Sequence, residues 1–170
     1  MILQYSKLNK YRYLRGKLMD IKVTGGKGNK IRRIVKEAAE YYGHMLMTRR
    51  MAESIDLVIR IKKNLDDDDI DGYCSYEDHE LGVRYFEIEI KMNKDIEELL
   101  TVLAHEMTHL KQWATGEMKQ GKILAHKTTW KGTTYNDEDV EYWDRPWEIE
   151  AFGRERGLFL RYVMTFGYPR

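Results

Sequence analysis

The stretch from residue 95 to 113, DIEELLTVLAHEMTHLKQW, constrains the fold of this chain more than any other part of it. Its apolar residues recur every three or four positions, which predicts an amphipathic helix with one face in a core. Asp95 followed by Glu98 is typical of a capping box that starts a helix, and Gly116 is expected to end it. The predicted apolar face consists of Ile96, Leu99, Leu100, Leu103, Met107 and Leu110.

His105 and His109 lie one turn apart on this predicted helix, so both imidazoles leave the same face and can meet one metal ion. Glu106 lies about 100° further round the axis, where its carboxylate can reach a water on that metal without binding the metal itself. This is the His-Glu-x-x-His arrangement typical of zinc hydrolases. The alternative is an ordinary amphipathic helix that carries two surface histidines.

A catalytic zinc usually has three protein ligands and keeps one position for water. The third ligand can come from any of three candidates further along the chain, namely His126, Glu148 and Glu150. Glu148 is preferred because Ala151 lies three residues later on the same helix face, where a small side chain lets two helices approach closely. Glu150 points about 200° away from Glu148, so only one of the two can bind the metal. The other is expected to contact solvent or one of the metal-binding residues.

This ligand set predicts hydrolysis by a water molecule on Zn²⁺. Zinc lowers the pKa of its bound water toward ~7 and polarises a carbonyl oxygen. Glu106 would accept the proton of the water and pass it to the leaving nitrogen. A donor to the developing oxyanion would come from Tyr142, Tyr135 or His126, among which the sequence does not choose.

The rest of the chain predicts an α+β fold. Periodicity indicates a helix over 31–54, strands over 57–62, 73–76 and 83–91, a hairpin over 126–135 and a second long helix with Asp144 as N-cap and Pro146 in its first turn. We expect a small antiparallel or mixed sheet packed on the N-terminal helix and on the helix of residues 95–113. The strand at 83–91 is expected to offer a free edge to an extended peptide.

The first 36 residues carry eleven Lys or Arg and one acid, Asp20, although the formal net charge of the 170-residue chain is only +1. This imbalance predicts a basic N-terminal segment, residues 1–30, before a domain of residues 31–170. Arg12, Arg15, Lys17 and Lys22, interleaved with Tyr5, Tyr11 and Tyr13, could bind nucleic acid. The alternative is a solvated basic arm or a strand packed on the domain.

The acidic run of residues 66–71 resembles the first half of a calcium loop, because Asp67, Asp69, Asp71 and Gly72 have its spacing, and Asp78 lies where such a loop ends in a bidentate Glu. Strands rather than helices flank this run. It therefore predicts an acidic hairpin loop rather than a calcium site.

No apolar run approaches the ~20 residues of a membrane span, and the N-terminus lacks the apolar region of a signal peptide. Cys74 is the single cysteine, which excludes an internal disulfide and a cysteine-rich zinc ribbon. We therefore expect no membrane partner and a reducing, cytoplasmic location.

His105, Glu106 and His109, with Glu148 in Pro-Trp-Glu-Ile-Glu-Ala, resemble a minimal gluzincin, a branch of the zincin metallopeptidases. The pattern over 31–165 is also similar to the SprT-like metallopeptidases of bacteriophages, which implies the cytoplasm of an infected host cell. The resemblance implies zinc bound by His105, His109 and Glu148, with Glu106 as general base. The chain departs from these families at two positions: His126 is followed by Lys127 instead of Gly, and Phe152 stands where larger gluzincins carry an acid that orients a histidine.

The sequence therefore predicts a zinc-dependent metallopeptidase that acts on peptide or protein substrates. Two alternatives are a nucleic-acid-associated protein that binds through its basic N-terminal segment, and a scaffold in which zinc serves structure alone. An intact Glu106 argues against the scaffold, because a structural zinc site has no need of a base.

Overall fold

The computed structural model describes residues 19–67, 69–77, 83–92, 95–121 and 126–169. These residues form an α+β fold, as predicted, with four α-helices and two small sheets. The helices are α1 (Asn29–Leu46), α2 (Arg49–Ala52), α3 (Ile96–Ala114) and α4 (Pro146–Phe166). The strands are β1 (Asp20–Gly25), β2 (Asp56–Lys62), β3 (Gly72–Glu77), β4 (Tyr85–Lys91), β5 (Met118–Gln120), β6 (Lys127–Trp130) and β7 (Thr133–Asn136).

The larger sheet is mixed and has the strand order β1-β2-β4-β3. Strands β1, β2 and β4 run parallel, and β3 pairs antiparallel with β4. The prediction that the strand at 83–91 has a free edge is therefore wrong, because β4 lies between two strands and β3 is the outer one. The prediction of an acidic hairpin loop is also wrong: β2 and β3 are not neighbours, so the chain between them has to pass the end of β4.

One face of this sheet is apolar and the other is charged, as strand alternation dictates. The charged face carries cross-strand ion pairs between Arg60 and Glu87 and between Lys62 and Glu89. The apolar face packs against α1 and α3. Its buried residues are Leu57, Ile59, Ile61, Phe86, Ile88 and Ile90.

Helix α3 is central to the fold, since it contacts α1, β3, β4, β5 and α4. The Asp95 side chain accepts a hydrogen bond from the backbone N–H of Glu97, and Gly116 at φ 73° follows the end of the helix, so both predicted ends are confirmed. These local contacts fix where the helix begins and ends in the sequence.

Helix α4 crosses α3, and Ala151 is completely buried where the sequence predicted close approach. Pro146 is the first helical residue, as predicted, but the N-cap is Arg145 rather than Asp144. Asp144 instead ends a turn of 3₁₀-helix, Tyr142–Asp144, that leads into α4. The small sheet β5-β6-β7 packs its Met118 and Trp130 against Trp147 at the start of α4.

At the N-terminal side, the structure differs from two further predictions. The helix expected over 31–54 ends at Leu46, and the short α2 follows after Thr48, whose side chain caps it. Residues 20–25 of the basic segment form β1, which pairs with β2, so this part is a strand of the domain. Residues 1–18, with most of the predicted nucleic-acid contacts, lie outside the described residues. None of the described helices is both long and apolar enough to cross a membrane.

Candidate metal centre

Helices α3 and α4 bring His105, His109 and Glu148 together at their crossing. The two histidine Nε2 atoms are 3.1 Å apart, and Glu148 Oε2 lies 3.4 Å from that of His105 and 3.3 Å from that of His109. All three residues are mostly buried. Within the described part of the chain, they are the one group of three or more His, Cys, Asp or Glu residues whose geometry could hold a metal ion. We call these three residues the metal centre.

The spacing of these atoms fits a tetrahedral zinc site. Ligand bonds of ~2.0–2.1 Å at tetrahedral angles place neighbouring ligand atoms about 3.3–3.4 Å apart. The three observed separations lie at or close to this value. The residues present therefore fit a small divalent cation, with three protein ligands and room for a fourth ligand.

The outer nitrogen of His105 is held by a residue that the sequence did not reveal. His105 Nδ1 lies 2.9 Å from Glu155 Oε2. A carboxylate accepts the hydrogen bond from Nδ1, so in the neutral imidazole Nδ1 carries the proton and Nε2 presents its lone pair to the metal centre. Glu155 lies seven residues after Glu148, two helical turns along the same face of α4, and this spacing was the available signal.

The outer nitrogen of His109 is held by Gln112, whose Oε1 lies 2.9 Å from Nδ1. The orientation of the Gln112 amide is fixed, because its Nε2 donates to the carbonyl of Trp147 at 3.0 Å and to Glu150 at 3.1 Å. Its oxygen must then accept from Nδ1 of His109. In their neutral forms both histidines thus turn a lone pair inward, and three acceptor atoms within 3.4 Å of one another repel each other unless a metal ion or protons lie between them.

Without a metal, protons take the place of that cation. Burial opposes the charged form of His105, but hydrogen bonds to Glu148 and Glu155 outweigh burial and raise its pKa to about 9. The pKa of His109 is raised in the same way, against burial, by its hydrogen bond to Glu148. Burial would raise the pKa of the Glu148 carboxyl, but hydrogen bonds from the two histidines and Tyr142 lower it to about 2.

Glu106 is 5% exposed and lies between the metal centre and the start of β3. Burial raises the pKa of its carboxyl to about 7, although the charges of His109 and His105 lower it. A group with a pKa near neutrality can both accept and donate a proton. A Cβ atom at Gly72 would lie only 2.6 Å from Glu106 Oε1, so the strand passes against this carboxylate where only glycine fits.

Tyr142 donates a hydrogen bond from its hydroxyl to Glu148 Oε2 at 3.0 Å. Burial and the negative charge of Glu148 raise the pKa of the phenol, so it remains a donor. Of the three predicted oxyanion donors, Tyr142 lies at the metal centre. Tyr135 packs on the Trp147 ring instead, and His126 is exposed before β6.

The other predicted ligands lie elsewhere. Glu150 receives hydrogen bonds from Lys111, Gln112 and Arg154, which places it behind His109 rather than on the metal. Among the described residues, His126 belongs to no group that could hold a metal ion. The described acidic residues of the run 66–71 form no such group either, and Asp78, predicted to complete a calcium loop, lies outside the described residues.

Two cavities meet at Glu106 and His105. The first, which we call the aromatic cleft, has a volume of about 810 Å³ and lies between the first half of α3, residues 69–72 and the side chains of Tyr142, Trp143 and Phe152. The second, which we call the strand cleft, has a volume of about 730 Å³ and follows residues 72–76 of β3 past His109 and Trp113. A long substrate could therefore extend to both sides of the metal centre.

Searches against protein-family models, curated proteins and solved structures find no match for this chain.

Proposed function

We propose that this chain is a zinc-dependent peptidase that hydrolyses peptide bonds at the metal centre. The observation that carries the proposal is the convergence of His105, His109 and Glu148 beside the buried Glu106 carboxylate. A structural zinc site is closed by four protein ligands, whereas three ligands that border two cavities are typical of a catalytic site. This supports catalysis over a purely structural role.

Each side chain has a distinct role in the proposed reaction. His105, His109 and Glu148 would hold the ion, and Glu155 and Gln112 keep the imidazoles in the tautomer that can bind it. A bound zinc ion would polarise the scissile carbonyl and lower the pKa of a water molecule. Glu106 would accept a proton from the attacking water and deliver it to the leaving nitrogen, a use that suits a pKa of about 7.

Two features support a peptide substrate. The Tyr142 hydroxyl, which donates its one proton to Glu148 at the metal centre, would turn to the carbonyl oxygen as that oxygen gains negative charge in the transition state. Strand β3 is the outer strand of its sheet and lines the strand cleft from Gly72 onward. An extended peptide can be added to such an edge through backbone hydrogen bonds.

The test combines metal content with hydrolysis. Protein purified without chelator should contain near-equimolar zinc, and His105→Ala and Glu148→Ala should each lose it. Glu106→Gln should keep the zinc but lose hydrolysis of casein or of a fluorogenic peptide library, because the amide cannot accept the proton. Elemental analysis and fluorescence measure the two quantities separately.

His126→Ala is the matched control, because this exposed histidine lies outside the metal centre and should keep both zinc and activity. Full zinc content in His105→Ala would refute the metal centre. Zinc bound by the parent protein, with no hydrolysis of any peptide or protein substrate, would refute the peptidase and leave a metal-binding scaffold.

A further inference from the structure

The aromatic cleft is where a substrate side chain next to the scissile bond would be recognised. Its wall includes His105 and Glu106, so a peptide whose carbonyl lies at the metal centre must place a neighbouring residue in or beside it. The cleft is large enough for a long side chain, with a volume of about 810 Å³. Its lining therefore determines which residue is preferred there.

One wall of this cleft is aromatic. Trp143 is 69% exposed and Phe152 is 37% exposed, and their ring centroids lie 5.0 Å apart. Tyr142 packs edge-on against Trp143 at 5.3 Å. Exposed aromatic rings that stack on each other at a cavity offer an apolar surface for a ligand, and the face of a Trp ring also attracts a cation.

The opposite wall and the rim are acidic. The residues that line the cleft include six acids besides Glu106 and one base, Arg156. Arg156 is already paired with Glu97, and Glu155 is engaged with His105. Among the described residues, no ion pair engages Asp69, Asp71 or Glu98, and all three side chains are exposed. The cleft therefore presents a net negative charge to a ligand.

The strand cleft differs in charge. Apart from Glu106 and the ligand Glu148, its lining has one acid, Asp137, and one base, Arg145. The negative charge is thus confined to one side of the metal centre. A basic residue would be favoured on that side only, which fixes its position relative to the scissile bond.

Resting on the proposed peptidase function, we propose that the aromatic cleft selects substrates with a lysine or arginine side chain at one fixed position beside the cleaved bond. The methylene stem of that side chain lies along Trp143 and Phe152, as long cationic side chains do on apolar surfaces. Its charged end reaches Asp69, Asp71 and Glu98 at the rim. An acidic residue at the same position is rejected.

Binding tests this assignment without catalysis. Zinc-loaded Glu106→Gln protein is titrated with short fluorescein-labelled peptides in which a single lysine is moved position by position, and with a matched set that carries norleucine instead. Norleucine keeps the apolar stem and lacks the charge. At one position, lysine should bind about tenfold more tightly than norleucine, as expected for a cation held by an aromatic face and several carboxylates.

Two variants in the same background identify the groups responsible. Asp71→Asn with Glu98→Gln should reduce the ratio of lysine to norleucine affinity by about threefold or more, since each exposed charge contact contributes a small factor. Trp143→Leu should reduce the ratio while leaving norleucine binding in place. The matched control is Asp20→Asn with Asp56→Asn, which removes two exposed acids at the far side of the sheet and should leave the ratio unchanged.

Equal affinity for lysine and norleucine at every position overturns the assignment, as does an equal loss in the control variant. A failure of the proposed peptidase function gives a different combination of results from a failure of this assignment. If the parent protein hydrolyses peptides without preference for a basic residue, the peptidase stands and the assignment falls. If lysine peptides bind selectively but no peptide is hydrolysed, the aromatic cleft still selects a basic side chain, and the peptidase falls.

Discussion

Glu155 and Gln112 hold the two histidines by the nitrogen that faces away from the metal centre, and neither residue would bind the metal. Such partners typically contribute 10–100-fold to metal affinity because they fix the tautomer and orientation of the ligand. We expect Glu155→Ala to weaken zinc binding by about 10–100-fold, measured by competition with a chromophoric chelator. Glu138→Ala, which removes an exposed acid that belongs neither to the metal centre nor to the lining of the two clefts, should have no effect. Unchanged zinc affinity in Glu155→Ala would show that His105 needs no such partner.

The raised histidine pKa values predict that zinc binding releases protons. Zinc binds neutral imidazole, whereas the pKa of His105 is raised to about 9 in the metal-free protein and that of His109 is raised as well. At neutral pH the metal must therefore displace at least one proton, and zinc affinity should weaken as the pH falls below about 9. Isothermal titration calorimetry at pH 7 in two buffers of different ionisation enthalpy measures the proton count. Identical heats in both buffers would mean that no proton is released, which would contradict the prediction that the metal-free centre is protonated.

Gly72 is required for space rather than for backbone conformation. A methyl group there would lie 2.6 Å from Glu106 Oε1 and 2.8 Å from Val102 Cγ1, so the carboxylate or the strand must shift. We expect Gly72→Ala to lower kcat by about tenfold or more with zinc content unchanged, because a small displacement of a catalytic group is costly. Gly153→Ala is the matched control, since a methyl group there meets no atom within 4 Å. Full activity in Gly72→Ala would show that Glu106 tolerates displacement.

At the scale of elements, local patterns determined what the sequence could predict. The ends of α3 followed from Asp95 and Gly116, and the close approach of His105 and His109 from their spacing on one helix. The sheet order did not follow, because strand pairing joins distant residues and β4 lies between β2 and β3, which both precede it in the chain. An acid that orients His105 is expected one turn after Glu148, where this chain has Phe152, whereas Glu155 lies two turns after Glu148.

Helix α4 carries both Glu148 and Glu155. Its interior also contains two glycines, Gly153 between these residues and Gly157 just after Glu155. Glycine in a helix costs about 0.5–1 kcal/mol relative to alanine, and a methyl group at either position meets no atom within 4 Å. We therefore expect Gly153→Ala and Gly157→Ala each to raise the free energy of unfolding by about that amount, measured by urea denaturation. A loss of stability in either variant would contradict this account of the two glycines.

On the scale of the whole molecule, the metal centre joins the two helices on which the fold is built. Helix α3 is packed on the larger sheet, and α4 is packed on α3 and on the small sheet. The ligands come from both helices, so a bound ion links parts of the chain that are separated by about forty residues. An ion that binds the folded form and not the unfolded form stabilises the fold by mass action.

Zinc should therefore raise the Tm of the whole domain. At a free concentration one hundred times Kd, binding contributes about 2.7 kcal/mol, which corresponds to an increase of roughly 5–10 °C for a chain of this size. Differential scanning calorimetry with zinc and after chelation measures the shift. His105→Ala should unfold at the same temperature in both conditions, because one ligand and its contact to Glu155 are lost together. A zinc-dependent shift of equal size in that variant would mean that the ion binds elsewhere, whereas no shift in the parent protein would mean that zinc does not bind the folded form in preference to the unfolded form.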